Sequence, residues 1–262
     1  MDNTRDINST LSGYLKELRL RVMRECYADT GMEARQELLS YEEYLLILTE
    51  RECASRRAKR IDRHLGESKI PLGKNMDSFD LKRLPGKVSH QVKTLLDGRF
   101  LDYNENILVF GNPGSGKTHL LCAIGQELIR NGKRAYFSTC SLLVQELLRA
   151  KQEFQLPRQI KKLSRYDALI IDDIGYVQQD RSEMEVLFTL LAERYERGSV
   201  MLSSNLPFSK WEQIFKDPMV TAAAVDRLVH HSVILELNIP SYRMIEAKSR
   251  KKTNAKEKEE TN

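Results

Sequence analysis

The segment Gly111-Asn112-Pro113-Gly114-Ser115-Gly116-Lys117-Thr118 has the spacing G-x4-G-K-T, and each residue type in it has a task if the target is a polyphosphate. Glycines let backbone N–H groups turn inward around phosphate oxygens, Lys117 brings a point charge to the β and γ phosphates, and the Thr118 hydroxyl ligates Mg²⁺. His119 follows directly and is counted with the same cradle. Asp172 and Asp173 close the apolar run Leu169-Ile170-Ile171. Acids delivered at the carboxyl end of a buried strand, beside such a loop, suit a Mg²⁺ ligand, here Asp172, and a water-activating base, here Asp173. Alone, an Asp-Asp-x-Gly stretch is a strand-ending turn; coupled to the glycine-rich loop it reads as hydrolytic machinery. A third apolar run, Val200 to Ser204, ends in Asn205, whose amide can hold the attacking water, although Asn before Leu-Pro by itself forms turns. The expected ligands are ATP and Mg²⁺, and the lack of an N-K-x-D string argues against a guanine nucleotide.

These groups need elements to hold them. The strand Ile107 to Phe110 leads into the loop, and a helix from His119 to about Arg130, closed by Asn131-Gly132, leads out, so the phosphates would sit on a helix N-terminus. Apolar runs at Asn106 to Phe110, Arg134 to Thr139, Asp167 to Asp173, Ser199 to Asn205 and Ser232 to Leu237 alternate with helical patterns, which implies crossovers and a parallel sheet. The expected fold class is an α/β P-loop NTPase, a five-stranded parallel sheet flanked by helices, preceded by a small all-helical domain. In the N-terminal third, Leu11, Leu15, Leu18 and Val22 recur at helical spacing. A second helix starts at Ser40 with a capping box to Glu43 and runs until Gly66 and Pro71. On it, Arg56, Lys59, Arg60 and Arg63 share one stripe, and Ala54, Ala58, Ile61 and Leu65 the opposite one. Residues 66–80 mix Gly, Pro and Ser and read as a linker. The expected domains are 1–70, 71–247 and a disordered charged tail over 248–262.

With 262 residues, 41% hydrophobic and 30% charged, the chain can bury a substantial core and shows no low-complexity bias. The polar N-terminus and the lack of a long apolar run predict a cytoplasmic protein with no membrane contact. Cys26, Cys53, Cys122 and Cys140 form no C-x-x-C pair and have no His nearby at metal-ligand spacing, so free thiols and no zinc are expected. A net charge of +5 permits an anionic partner without demanding one.

Taken in order, GNPGSGKTHL, ALIIDDIGY, LAERYERGSVMLSSNLPFSKW, DPMVTAAAVDRLVHH and SYR resemble the IstB-type transposition helper ATPases of insertion sequences, relatives of DnaC helicase loaders and DnaA initiators in the AAA+ class. The likeness extends through LSYEEYLLILTERECASRRAKRIDRHL, over roughly residues 15–245. It implies that Asn205 is the first sensor and that Arg227 reaches the ATP of a neighbouring subunit, where an arginine finger stabilises charge on the transferring phosphoryl group. By itself Arg227 is a basic residue next to Asp226. Arg243, in Ser241-Tyr242-Arg243, is a candidate second sensor that would touch the nucleotide; no helical lid is expected, as in the truncated form of the family.

The resemblance also gives the basic residues a destination. Between Arg51 and Arg63 stand six basic residues against two acidic ones, and Arg56, Arg57, Lys59, Arg60 and Arg63 become candidate DNA contacts. Lys161 and Lys162, between the second and third strands, lie where related initiators and loaders line the bore of their assembly. Binding would be to duplex DNA with little base specificity. The implied activity is ATP-dependent assembly of an oligomer on duplex DNA that recruits and stimulates a cognate transposase. The alternative is a DnaC-like loader that grips single strands. A small-molecule kinase shares the loop, but paired acids suit hydrolysis and no acceptor lid is evident.

Overall fold

A computed structural model describes residues 6–175, 181–215 and 217–242, and the chain divides into two compact units between Arg63 and His64. The first holds α1 (Ile7–Glu17), α2 (Arg21–Gln36) and most of α3 (Tyr41–Ser68). The single helical run expected across Leu11 to Val22 is broken. Arg19 adopts the left-handed region, φ +58°, and the Leu20 N–H returns to the Leu15 carbonyl, ending α1 before α2 begins. Leu15, Met23 and Leu48 form a small core against Tyr27 and Tyr44. At roughly 1.5–3 kcal/mol per buried side chain, so few residues leave this unit dependent on its polar contacts. Among these, Glu52 of α3 accepts from the Val22 and Met23 amides at 2.8 and 3.2 Å, capping α2, which has no local side-chain cap. Arg56 binds Glu52 at 2.8 Å. The capping box is formed: the Ser40 amide donates to the Glu43 carboxylate at 2.7 Å, and the Glu43 amide to the Ser40 hydroxyl at 3.2 Å. On the stripe opposite the basic one, Ala54 and Ala58 are exposed and Ile61 and Leu65 half-buried.

The second unit adds α4 (Gly86–Leu95), β1 (Asn106–Gly111), α5 (Lys117–Arg130), β2 (Ala135–Thr139), α6 (Cys140–Gln152), α7 (Leu156–Leu163), β3 (Ala168–Asp172), α8 (Arg181–Arg194), β4 (Ser199–Ser204), α9 (Glu212–Phe215), α10 (Pro218–Val229) and β5 (Ser232–Leu237). The five strands are parallel in the order β2-β3-β4-β1-β5. β3 and β4 are buried along their whole length, which is why they read as unbroken apolar runs, whereas the edge strand β5 alternates. Helices α6, α8 and α10 pack on one face, with Leu143, Leu147, Leu187, Leu190 and Trp211 at the centre.

Two buried polar residues fix strand placement. Asn106 accepts from the Val200 amide at 2.8 Å and donates to the Leu228 carbonyl at 3.1 Å, tying β1 to β4 and α10. Arg194 donates to the carbonyls of Leu163, Tyr166, Asp167 and Ser199. Burial pulls its pKa down to about 10, which still leaves it cationic at neutral pH. Of residues 66–80, read as a linker, the first three end α3 and the following segment packs on α5. Ile70 is buried, and the Gln126 amide donates to the carbonyls of Pro71 and Lys74, both at 3.1 Å.

Candidate nucleotide-binding site

Because β3, β4 and β1 are neighbours, their carboxyl ends bring the glycine-rich loop, the acid pair and Asn205 to one sheet edge. Gly114 and Gly116 lie in the left-handed region, φ +81° and +98°, where a side chain would be strained. α5 starts at Lys117 with Gly116 as its N-cap and has no side-chain cap, so its first amides are left for a ligand. A cleft of about 270 Å³ is lined by Lys74, Pro113, Gly114, Gly116, Lys117, Thr118, His119, Asp173, Asn205 and Tyr242. Gly111, Asn112 and Ser115 belong to the same loop but do not line the cleft; Asn112 is exposed and Ser115 buried. The Lys117 ammonium donates to the Gly111 and Asn112 carbonyls at 2.9 and 3.2 Å, which holds its charge against the loop.

Ser203 organises the acids. Its hydroxyl donates to Asp172 Oδ1 at 2.6 Å and accepts from the Asp173 amide at 2.9 Å. Asp173 turns through the left-handed region, φ +59°, and reaches the cleft wall, while Asp172 stays buried against Ser203. Ser115 Oγ and Asn205 Oδ1 are buried without a hydrogen-bond partner among the described residues. Buried polar atoms are normally paired, so these orphans, one in the loop and one on the cleft wall, fit a site completed by phosphate oxygens and water. The residues present thus suit a magnesium–nucleotide complex. Burial pushes the nearby Cys122 thiol up to about 12, keeping it protonated.

The other sequence candidates are placed elsewhere. Arg227 does not line the cleft. It donates to the Ala223 carbonyl at 2.9 Å, lies over the Phe188 ring, and borders a separate hollow with Asn104, Glu196 and His231. Arg243 falls outside the described residues. Arg57, Lys59, Arg60 and Arg63 are exposed along α3 and share a hollow with Arg56, which is engaged by Glu52 and the Arg19 carbonyl. Lys161 and Lys162 border a groove of about 670 Å³ between α6 and α7 with Arg158 and Arg165. Arg149, on the same groove, is paired with Glu153.

Three site features escaped the sequence reading. Ser203 looks like one more small residue in a buried strand. Lys74 comes from the supposed linker, which His119 holds through the Asn75 carbonyl at 2.9 Å and an edge contact with Phe79. Tyr242 is tied by its amide to the Gly114 carbonyl at 2.9 Å, while Arg83 lies over its ring and donates to the Pro240 carbonyl. The only available signal was the Ser241-Tyr242-Arg243 string.

A G-x4-G-K-T loop after β1, acids ending β3 and an asparagine after β4, on a sheet of this order, define a P-loop protein of the AAA+ class. The solved DnaC helicase loader shares the fold, with a TM-score of 0.55 at 16% identity, covering 66% of this chain and 100% of the loader chain. More particularly, the chain belongs to the family described as IstB-like ATP binding protein, which matches residues 13–252. An insertion sequence ATP-binding protein of Sinorhizobium fredii is 44% identical over 230 residues, 87% of this chain and 77% of the relative. The ATP-binding protein of insertion sequence IS5376 from Geobacillus stearothermophilus is 38% identical over 233 residues, covering 89% and 93%. No helix among the described residues is long and apolar enough to cross a membrane.

Proposed function

We propose that this chain is the ATP-hydrolysing helper of an insertion sequence: it assembles on duplex DNA in an ATP-dependent oligomer and there recruits and stimulates the element's transposase. The observation that carries this reading is the convergence of the glycine-rich loop, Asp173 and Asn205 on one cleft, in a chain whose relatives are ATP-binding proteins of insertion sequences. Lys117 and the α5 N-terminus bind the phosphates of ATP, Asp173 takes the proton from the attacking water, and Asn205 orients that water. Thr118 and Asp172 would hold a Mg²⁺ ion, which would supply charge neutralisation at the phosphates. Arg227, which its own cleft does not use, completes the site of a neighbouring subunit. Subunit contact is then coupled to ATP, with hydrolysis as the release step. The exposed cations of α3 and of the α6–α7 groove neutralise DNA phosphates.

The test is fluorescence anisotropy of labelled duplex and single-stranded DNA of equal length with the Asp173→Asn protein, with and without ATP, alongside size-exclusion profiles. Salt-sensitive, ATP-dependent duplex binding with growth to a large oligomer is expected. Preference for single strands would replace this reading with a helicase-loader role. Absence of DNA binding by either route would reject both.

A further inference from the structure

Outside the nucleotide cleft, three side chains with metal-binding atoms stand together although they are distant in sequence. Glu196 lies in the turn after α8, and His230 and His231 follow α10. One ligand atom from each lies within 4.8 Å of the other two, and all three residues are exposed. The two imidazole centroids are 4.0 Å apart. The Tyr195 hydroxyl lies 2.9 Å from His230 Nδ1. An imidazole whose Nδ1–H is donated to an oxygen presents the Nε2 lone pair, the arrangement by which outer partners orient metal-binding histidines.

The donor set decides which ion would fit. Two imidazoles and one carboxylate suit borderline divalent ions such as Zn²⁺, whereas Mg²⁺ and Ca²⁺ prefer oxygen donors alone. With bonds of about 2.0–2.1 Å, a tetrahedral ion holds its ligand atoms roughly 3.4 Å apart. Exposed side chains within 4.8 Å reach that spacing by small rotations. A fourth position remains for water.

The geometry points to a Zn²⁺-class metal site formed by Glu196, His230 and His231, separate from the nucleotide site. An ion bound there clips the end of α10 to the turn between α8 and β4. The expectation of no zinc was drawn around the cysteines alone; Glu196 and the histidine pair meet only in the fold. A second consequence rests on the trans role proposed above for Arg227. That residue lies on α10 and lines one hollow with Glu196 and His231. An ion clipping the helix end therefore alters how the arginine is presented, and so alters turnover without altering ATP affinity.

Calorimetric titration of untagged, full-length protein with ZnCl₂ tests the site, in a Cys53→Ser background that removes the exposed thiol. One ion per chain is expected, with affinity falling at least tenfold in His230→Ala, His231→Ala and Glu196→Gln, each checked for an unchanged thermal melt. No saturable binding, or equal binding in the three variants, overturns the site. In excess Mg²⁺, Zn²⁺ should change kcat in the parent and leave His231→Ala unaffected. Binding without that difference overturns the link to Arg227 while the site itself stands. An inactive parent that still binds Zn²⁺ would count against the ATPase reading alone.

Discussion

Replacing Ser203 with alanine removes one hydroxyl on which both acids depend. That hydroxyl donates to Asp172 at 2.6 Å and accepts from the Asp173 amide at 2.9 Å, in a fully buried position. A hydrogen bond to a charged group contributes about 1.5–3 kcal/mol and a neutral one about 0.5–1.5, so the loss in stability should be about 2–4.5 kcal/mol. Outer partners of metal-binding groups typically matter about 10–100-fold for affinity or activity. Ser203→Ala should therefore lower kcat by about 10–100-fold and raise the Mg²⁺ concentration needed for half-maximal turnover. ATP affinity without Mg²⁺ should change little, because the loop and Lys117 are untouched. Steady-state ATPase assays across a Mg²⁺ series, paired with urea unfolding, measure both effects. Ser203→Thr keeps a hydroxyl in a strand that tolerates β-branching and should recover much of each. An alanine variant with the parental Mg²⁺ response would refute the positioning role, whatever its stability.

Arg227→Ala should reduce turnover about 10³-fold or more with ATP affinity retained. Mixing it with Lys117→Ala protein should restore part of the activity, since each supplies what the other lacks; a mixture as inactive as its components would exclude a trans role. Glu52 sits below the usual carboxylate range: burial raises it, but the bonds from Arg56 and from the Met23 and Val22 amides outweigh that. Its stabilisation is complete above the unfolded value of about 4.3 and is lost as pH falls through the lower folded value. Glu52→Gln should cost the N-terminal helices about 1 kcal/mol at pH 7 and flatten their acid unfolding below about pH 5, followed by circular dichroism. Removing Lys161 and Lys162 together should lower the slope of log Kd against log salt for duplex DNA by about 2, at about 0.9 per phosphate contact. An unchanged slope would take the α6–α7 groove out of the DNA interface.

Much of the fold was legible because its signals are local. The apolar runs that became β1, β3 and β4 are unbroken because both faces of a central parallel strand are buried, and the capping box at Ser40 and Glu43 is a contact over three residues. The phosphate loop is equally self-contained, since its glycines and Lys117 act within one turn of chain. The errors came where a local signal competed with a distant contact. Leu11, Leu15, Leu18 and Val22 keep helical spacing, yet α2 gains a cap from Glu52, thirty residues on, and the run breaks at Arg19. Gly, Pro and Ser marked residues 66–80 as a linker, but Gln126 offers their carbonyls a buried donor.

The sequence by itself determined the phosphate loop, the acids, the order of the elements and the family, because each is carried by residue types at short spacing. Strand order could not be read from it, since any permutation of five parallel apolar strands buries similar surface. Only the tertiary structure placed β4 between β1 and β3, and that adjacency puts Ser203 on Asp172 and Asn205 on the cleft. It also turned Arg227 away from its own nucleotide site and set Glu196 beside two histidines, because the end of α10 packs where α8 enters β4. Contacts of that kind depend on how layers meet in space, which no spacing along one chain records.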